Sequence, residues 1–251
     1  MFDLSGKTAI VTGATKGIGR EIAGALARAG SNIVVVSRNQ RDCERVAAEI
    51  ADSAGVSTLA AACDVSKRAA VDELTARACE RFGKIDILVN NAGVAVTKPA
   101  EELTEEDWDY VLNVDLKGVF LLSQAVGRHM IAQKGGRIIN IASMFGLVGS
   151  KSILPYLCSK GGVIQMTKGL ALEWSRHRIT VNAVAPGYVV TPINEAELSD
   201  EHIKGSLLKK IPLHRFAAAD EVAGAVVYLA SDEAGYVTGA VLSVDGGWTA
   251  Q

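Results

Sequence analysis

The sequence predicts an α/β fold in which one doubly wound parallel sheet of seven strands carries helices on both faces. Short β-branched runs alternate with longer amphipathic segments from end to end, as strands joined by crossover helices do. A chain of 251 residues, 49% hydrophobic and 22% charged, is long enough to bury a full core. No repeat, low-complexity tract or Pro/Gly-rich linker divides it, so a single domain over residues 1–251 is expected.

Taken in order, strand Thr8–Thr12 is a compact Thr/Ile/Val run stopped by Gly13, and an apolar-periodic helix over Ile18–Ala29 follows. Asn32–Ser37 holds an unbroken Ile/Val run, as a strand buried on both faces does, and leads to a helix over Arg41–Ser53. The third pair is Thr58–Asp64 and Lys67–Phe82, with Ser66 as a candidate helix cap. Ile85–Asn90 precedes a long helix over Glu105–Gln133, which Thr104 and Asp107 open in the pattern of a capping box. Arg137–Ser143 leads into helix Tyr156–His177, and Thr180–Ala185 is followed by helix Asp220–Ala230 and strand Val241–Val244. One long interruption, residues 188–219, holds a weak helical stretch at Asp200–Lys210 between Pro192 and Pro212. Inserts of this length in compact domains often act as lids over a binding site.

Composition excludes several classes of partner. A net charge of −2 without a clustered basic face argues against nucleic acid and acidic membrane surfaces. Cys43, Cys63, Cys79 and Cys158 are scattered, with neither disulfide nor metal-ligand spacing, which fits reduced thiols in the cytoplasm and no metal. The first residues lack a signal-peptide pattern, and no apolar run approaches the roughly 20 residues that span a bilayer.

The first strand runs into Gly13-Ala14-Thr15-Lys16-Gly17-Ile18-Gly19, which opens a helix. Glycines at such a turn let backbone approach a ligand, and the helix N-terminus offers free N–H groups to a pyrophosphate. In dinucleotide folds an acidic residue at the end of the second strand holds the ribose hydroxyl, but here that strand ends in Ser37-Arg38. Lys16 and Arg38 would instead face a 2′-phosphate, which favours NADP over NAD; as ordinary surface cations they would say nothing.

Other strand ends add small and polar residues to the same edge: Asp64-Val65, Asn90-Asn91-Ala92-Gly93, Ser143 and Pro186-Gly187. Asp64 is suited to accept from the adenine amino group, and Asn90, Ala92 and Gly93 to line the adenosine and ribose wall. Beyond Ser143, Tyr156 and Lys160 stand four residues apart and share a face if that stretch is helical. A free tyrosine ionises at about pH 10, and an adjacent cation favours the phenolate, which makes the group usable in acid–base chemistry. Asn113, a poor helix former inside the long fourth helix, is either part of this constellation or a locally bonded surface residue.

With the glycine loop, Asn90-Asn91-Ala92-Gly93, Asn113, Ser143, the Tyr156–Lys160 pair and Pro186-Gly187 in this order, the chain resembles a short-chain dehydrogenase/reductase over essentially its whole length. The resemblance implies a Rossmann-type fold and NADP(H)-dependent interconversion of a ketone or aldehyde and an alcohol. It makes Tyr156 the general acid/base, gives Lys160 the tasks of assisting its ionisation and binding the nicotinamide ribose, has Ser143 orient the carbonyl, and places a relay water on Asn113. Val189 and Thr191 would meet the carboxamide side of the cofactor. The family also implies a homotetramer.

Within the family, Ala171-Leu172-Glu173-Trp174 and the C-terminal Val244-Asp245-Gly246-Gly247-Trp248 resemble the gluconate 5-dehydrogenase, sugar-acid and polyol branch. A 3-oxoacyl-carrier-protein reductase is the alternative, with Leu172 and Asp245 as departures from it. A pocket of Val94, Ser143, Met144, Phe145, Ile153 and Tyr188 is expected, although Met144 and Phe145 would equally serve the core. Their apolar character favours a hydrophobic ketone, in conflict with the branch resemblance. A non-catalytic NADPH-binding sensor is the reading from another class, and the acid/base pair argues against it.

Overall fold

The computed structural model describes residues 1–190 and 200–251. Seven strands, β1 (Thr8–Thr12), β2 (Asn32–Ser37), β3 (Thr58–Ala62), β4 (Ile87–Asn90), β5 (Gly136–Ile141), β6 (Ile179–Pro186) and β7 (Val241–Val244), form one sheet in the order β3-β2-β1-β4-β5-β6-β7, and every neighbouring pair is parallel. Eight α-helices lie among the described residues: α1 (Gly17–Arg28), α2 (Gln40–Ala54), α3 (Arg68–Phe82), α4 (Glu105–Leu112), α5 (Gly118–Gln133), α6 (Leu154–Trp174), α7 (Glu201–Lys210) and α8 (Ala219–Ala230).

The alternation of side chains along each strand explains the two-sided cover. Ala9, Val11, Ile33, Val35, Ile87 and Val89 point to one face and pack with Ile22 and Leu26 of α1, Val46 of α2 and Val226 of α8. Their neighbours Ile10, Val34, Leu88 and Ile138 point to the other, where Leu74 of α3 and Leu121, Leu122 and Val126 of α5 meet them. Each fully buried Val, Leu or Ile among them contributes about 1.5–3 kcal/mol, so a charge at Ile10 or Leu26 would break the sheet–helix contact.

The expected strands are found, with β4 starting at Ile87 in place of Ile85, and with β3 and β5 ending at Ala62 and Ile141 because the chain turns away before Asp64 and Ser143. Thr104 and Asp107 do form a capping box on α4. Ser66 does not cap the third helix: the N-cap residue is Lys67, and the Ser66 hydroxyl donates to Asp64 Oδ1 at 2.7 Å. The long fourth helix is interrupted by one π-helical segment, Asn113–Lys117, between α4 and α5, and its backbone stays right-handed on both sides. An extra residue per turn there resets which side chains face inward.

The insert of residues 188–219 has its two ends tied together. Val189 pairs with Ala217 as an isolated parallel bridge, and the Ala217 N–H donates to the Tyr188 carbonyl at 2.9 Å. Farther along, the Leu213 N–H donates to the Gly246 carbonyl at 3.1 Å, which seats the segment after α7 on the C-terminal residues.

Candidate active site

The chain leaves β1 outward through β2 and β3 and returns to β4, so the carboxyl ends of β1 and β4 form the crevice where ligands bind such sheets. There α1 begins at Gly17, with Lys16 at the N-cap, no side-chain cap and no acid in its first turn. Its leading N–H groups and positive dipole end are therefore available to an anion. Gly13 and Gly17 take φ of +65° and +53°, and a Cβ at Gly19 would stand 2.3 Å from the Gly13 carbonyl oxygen, so the turn admits only glycine at these points. Thr15 and Ile18 are half-buried in the loop, and Lys16 is exposed.

Asn91, the second residue of the Asn90–Gly93 motif, locks this loop to the end of β4. Its Nδ2 donates to the Thr12 carbonyl at 2.9 Å, while Thr12 Oγ1 accepts from the N–H groups of Asn91 and Ala92 at 3.0 and 3.1 Å. Asn90 goes elsewhere. Only 2% exposed, it donates from Nδ2 to Ser123 Oγ at 3.1 Å and Asn140 Oδ1 at 2.8 Å. Its side chain thus serves the interior beneath α5 and not the adenosine wall, a correction forced by strand alternation.

Ser37 ends β2 with its hydroxyl donating to the Asn39 carbonyl at 3.3 Å, and Arg38 beyond it is exposed. Asp64 Oδ1 accepts from the N–H and hydroxyl of Ser66, and that hydroxyl, with help from Lys67 and Arg38, holds the carboxyl below the ordinary aspartate range. Val65 beside it is buried. On the far side, the Gly187 N–H donates to the Val244 carbonyl at 2.9 Å, Pro186 pairs with Val244, and Val189 is buried. Thr191 lies outside the described residues.

Tyr156 and Lys160 fall in one helix, α6, which starts with Pro155 in its first turn. The buried stripe of α6 runs through Pro155, Ser159, Lys160, Val163, Ile164 and Thr167, so Lys160 enters the interior among apolar neighbours. Its Nζ lies 5.4 Å from the centroid of the half-buried Tyr156 ring and donates to the Ile141 carbonyl, at the end of β5, at 3.0 Å. Ser143 follows β5; its Oγ accepts from the Phe145 N–H at 3.1 Å, leaving the hydroxyl proton to donate. The turn it caps rests on α6 so closely that a Cβ at Gly146 would stand 2.8 Å from the Lys160 carbonyl carbon.

The side chain of Asn113 is bonded locally, its Oδ1 accepting from Lys117 Nζ at 3.3 Å, and the π-helical segment that it opens turns Asp115 toward Lys160. Asp115 is fully buried, its Oδ1 accepts from the Val94 N–H at 2.8 Å, and its Oδ2 stands 3.5 Å from Lys160 Nζ. A signal for it was present: Val111, Asp115, Val119 and Leu122 recur at helical spacing, so a carboxylate occupies a core position.

On the side away from the glycine loop, Tyr188 is the hub of an aromatic cluster. Phe145 meets it edge-on at 6.0 Å between centroids, Phe216 at 6.1 Å and Trp248 at 5.5 Å. Phe145 is half-buried, whereas Met144 is 1% exposed; Ile153, just before α6, is half-buried. A cavity of about 430 Å³ beside Tyr188 is bounded by Ile211–Leu213 and Ser243–Gly247. Among the described residues no group of His, Cys, Asp and Glu is arranged to hold a metal.

Comparison with known proteins accords with this architecture. The family model for enoyl-(acyl carrier protein) reductase matches residues 13–249. The 2-dehydro-3-deoxy-D-gluconate 5-dehydrogenase of Escherichia coli K12 is 42% identical over 253 residues, covering 100% of this chain and 98% of that protein. A D-threitol dehydrogenase of Mycolicibacterium smegmatis is 43% identical, with 99% and 95% covered. Among solved structures, a gluconate 5-dehydrogenase from Burkholderia cenocepacia J2315 in complex with NADP and tartrate superimposes with a TM-score of 0.96 at 40% identity, over 100% of this chain and 98% of that one.

Proposed function

The chain belongs to the short-chain dehydrogenase/reductase family, and from that premise we propose that it interconverts a secondary alcohol and a ketone on a sugar acid or polyol, with NADP(H). The observation that carries the reading is the buried Lys160 ammonium over the Tyr156 ring, on the same edge of the sheet as the uncapped start of α1. A non-catalytic nucleotide sensor has no need of that pair.

The residues fit the cofactor. The first turn of α1 and the Gly13–Gly19 loop would hold its pyrophosphate, Lys16 and Arg38 its 2′-phosphate, and Ala92 and Gly93 its ribose wall. β2 ends in Ser37 without a carboxylate, which supports NADP over NAD. When bound, NADP(H) supplies or accepts the hydride. Ser143 donates its hydroxyl proton to the substrate oxygen and fixes its direction. Tyr156 gives a proton to that oxygen as charge develops on it and takes the proton back in the reverse direction. Lys160 holds the phenol and the ribose by charge and hydrogen bonds.

The tied insert of residues 188–219 serves as a lid over this site within one domain, and its aromatic hub provides faces on which the C–H groups of a polyol ring or chain can lie. On this reading an apolar wall and a hydroxylated substrate are compatible. A 3-oxoacyl-carrier-protein reductase would need a cationic face for its acidic carrier, and Leu172, 82% exposed, stands in that face. We assign a homotetramer: Trp108, Phe120 and Leu172 on α4, α5 and α6, and Leu242 on the open edge strand β7, are exposed apolar residues suited to self-association. Four free thiols fit the cytoplasm, and no helix among the described residues is long and apolar enough to cross a membrane.

The test is a panel of gluconate, 5-keto-D-gluconate, D-threitol, a cyclic ketone and an acetoacetyl thioester, read by NADPH absorbance. Turnover of the first three is expected. Turnover of the thioester alone would replace the assignment.

A further inference from the structure

We propose that Asp115 is the counter-ion that keeps Lys160 charged inside the site, and so acts as a positioning residue for the Tyr156–Lys160 pair. The role presupposes the oxidoreductase reading above and deepens it.

Asp115 is 0% and Lys160 4% exposed, so each charge would be strongly disfavoured alone. Together they form an ion pair at 3.5 Å, anchored at both ends: the Val94 N–H donates to Asp115 Oδ1, and Lys160 Nζ donates to the Ile141 carbonyl. Asp115 Oδ2 has no hydrogen-bond donor among the described residues, so its interaction with the ammonium is one of charge. The Asn90–Gly93 turn closes over the pair; a Cβ at Gly93 would stand 3.2 Å from Oδ2 and 3.5 Å from Nζ. An exchange of both groups for apolar side chains would cost the fold little, but would remove the ammonium that the phenol needs.

The groups facing Lys160 are few. The π-helical segment presents Asp115, α6 presents Tyr156 and β5 a carbonyl, and only the first two titrate. Burial pulls the lysine down, but Asp115, followed by Tyr156, outweighs it and leaves Lys160 above the ordinary lysine value. Burial pushes Asp115 up, and Lys160 opposes that shift, so the pair titrates as a unit. Without its counter-ion the ammonium keeps the whole burial penalty, which in other buried lysines brings the pKa to about 5–6.

Asp115→Asn keeps the shape and removes the charge; Asp115→Ser removes charge and bulk. Each is compared with the parent by NADPH affinity, from quenching of protein fluorescence, and by kcat and KM, both as functions of pH between about 6 and 9. The parent is expected to bind NADPH with little change above neutrality. The variants are expected to lose affinity roughly tenfold per pH unit above the new lysine pKa, with kcat falling in the same window, recovering on acidification, and KM for the carbonyl compound nearly constant. A pH profile that superimposes on that of the parent, or a loss uniform at every pH in protein of unchanged thermal stability, would overturn the proposal. If the parent reduces no carbonyl compound, the oxidoreductase reading fails by itself, and the NADPH arm still decides the role of Asp115.

Discussion

On the β1–β4 side the edge of the sheet is made of backbone and short residues, with Gly13, Gly17 and Gly19 in the turn and Asn91 bonded to Thr12. Beyond β5 and β6 it is made of large side chains, Phe145, Tyr188, Phe216 and Trp248, brought together from four separated stretches. The first half suits a ligand of fixed shape, because main-chain groups cannot be exchanged by substitution. The second half can be reshaped one ring at a time without loosening the first. The residues proposed for catalysis fall where they meet, on α6 and the turn after Ser143.

Four substitutions probe that division. Tyr156→Phe strikes the seam and should lower kcat by about 10³-fold or more, with NADPH affinity retained. Unchanged NADPH oxidation would remove the acid–base assignment. Ser37→Asp combined with Arg38→Ala acts on the first half alone and should move the NADP-to-NAD ratio of kcat/KM toward NAD by roughly 10- to 100-fold, two charged contacts being exchanged. Equal use of both cofactors by the parent would leave the change without a basis. Tyr188→Ala acts on the second half alone and should raise the carbonyl KM by roughly tenfold, as aromatic contacts of about 1 kcal/mol each are lost. A matching loss of NADPH affinity would show the halves to be coupled.

The smallest effect is expected at the rim of the insert. Arg215 donates to both Glu221 oxygens at 2.6 Å and holds that carboxyl down to about 2, from an ordinary value of 4.5. A depressed carboxyl stabilises the fold above its unfolded value, and the contribution is lost as pH falls from about 4.5 through about 2. Arg215→Gln should therefore lower stability slightly above pH about 4.5, and the two proteins should converge in thermal unfolding as pH falls from there toward about 2. Equal acid profiles would mean that the pair contributes nothing in solution.

Strand positions and the two-sided core were legible because alternation is local: Ile10 between Ala9 and Val11 announces opposite faces without knowledge of the neighbours. The glycine loop was legible for the same reason. Asn90 was misplaced because one step along a strand inverts the face, and Asn91, one residue on, does the bonding. Asp115 was not legible as a site residue, because its inward turn depends on the π-helical segment, which no propensity announces. The Tyr188 cluster was half legible. Phe145 and Tyr188 were named, but Phe216 and Trp248 reach them only through pairing distant in sequence.

The bridge between Val189 and Ala217 makes the intervening segment a closed loop standing on a fixed base. For such a loop the entropy of closure grows only with the logarithm of length, so a segment twice as long would cost about 0.6 kcal/mol more. Its second half also rests on the C-terminal residues through the Leu213–Gly246 bond and on Tyr188 through Phe216, so a replacement has to keep those two contacts. The segment can be treated as a cassette, cut at those two residues and replaced by one from a relative of different specificity, with the scaffold, the cofactor turn and the Asp115–Lys160 pair left as they are.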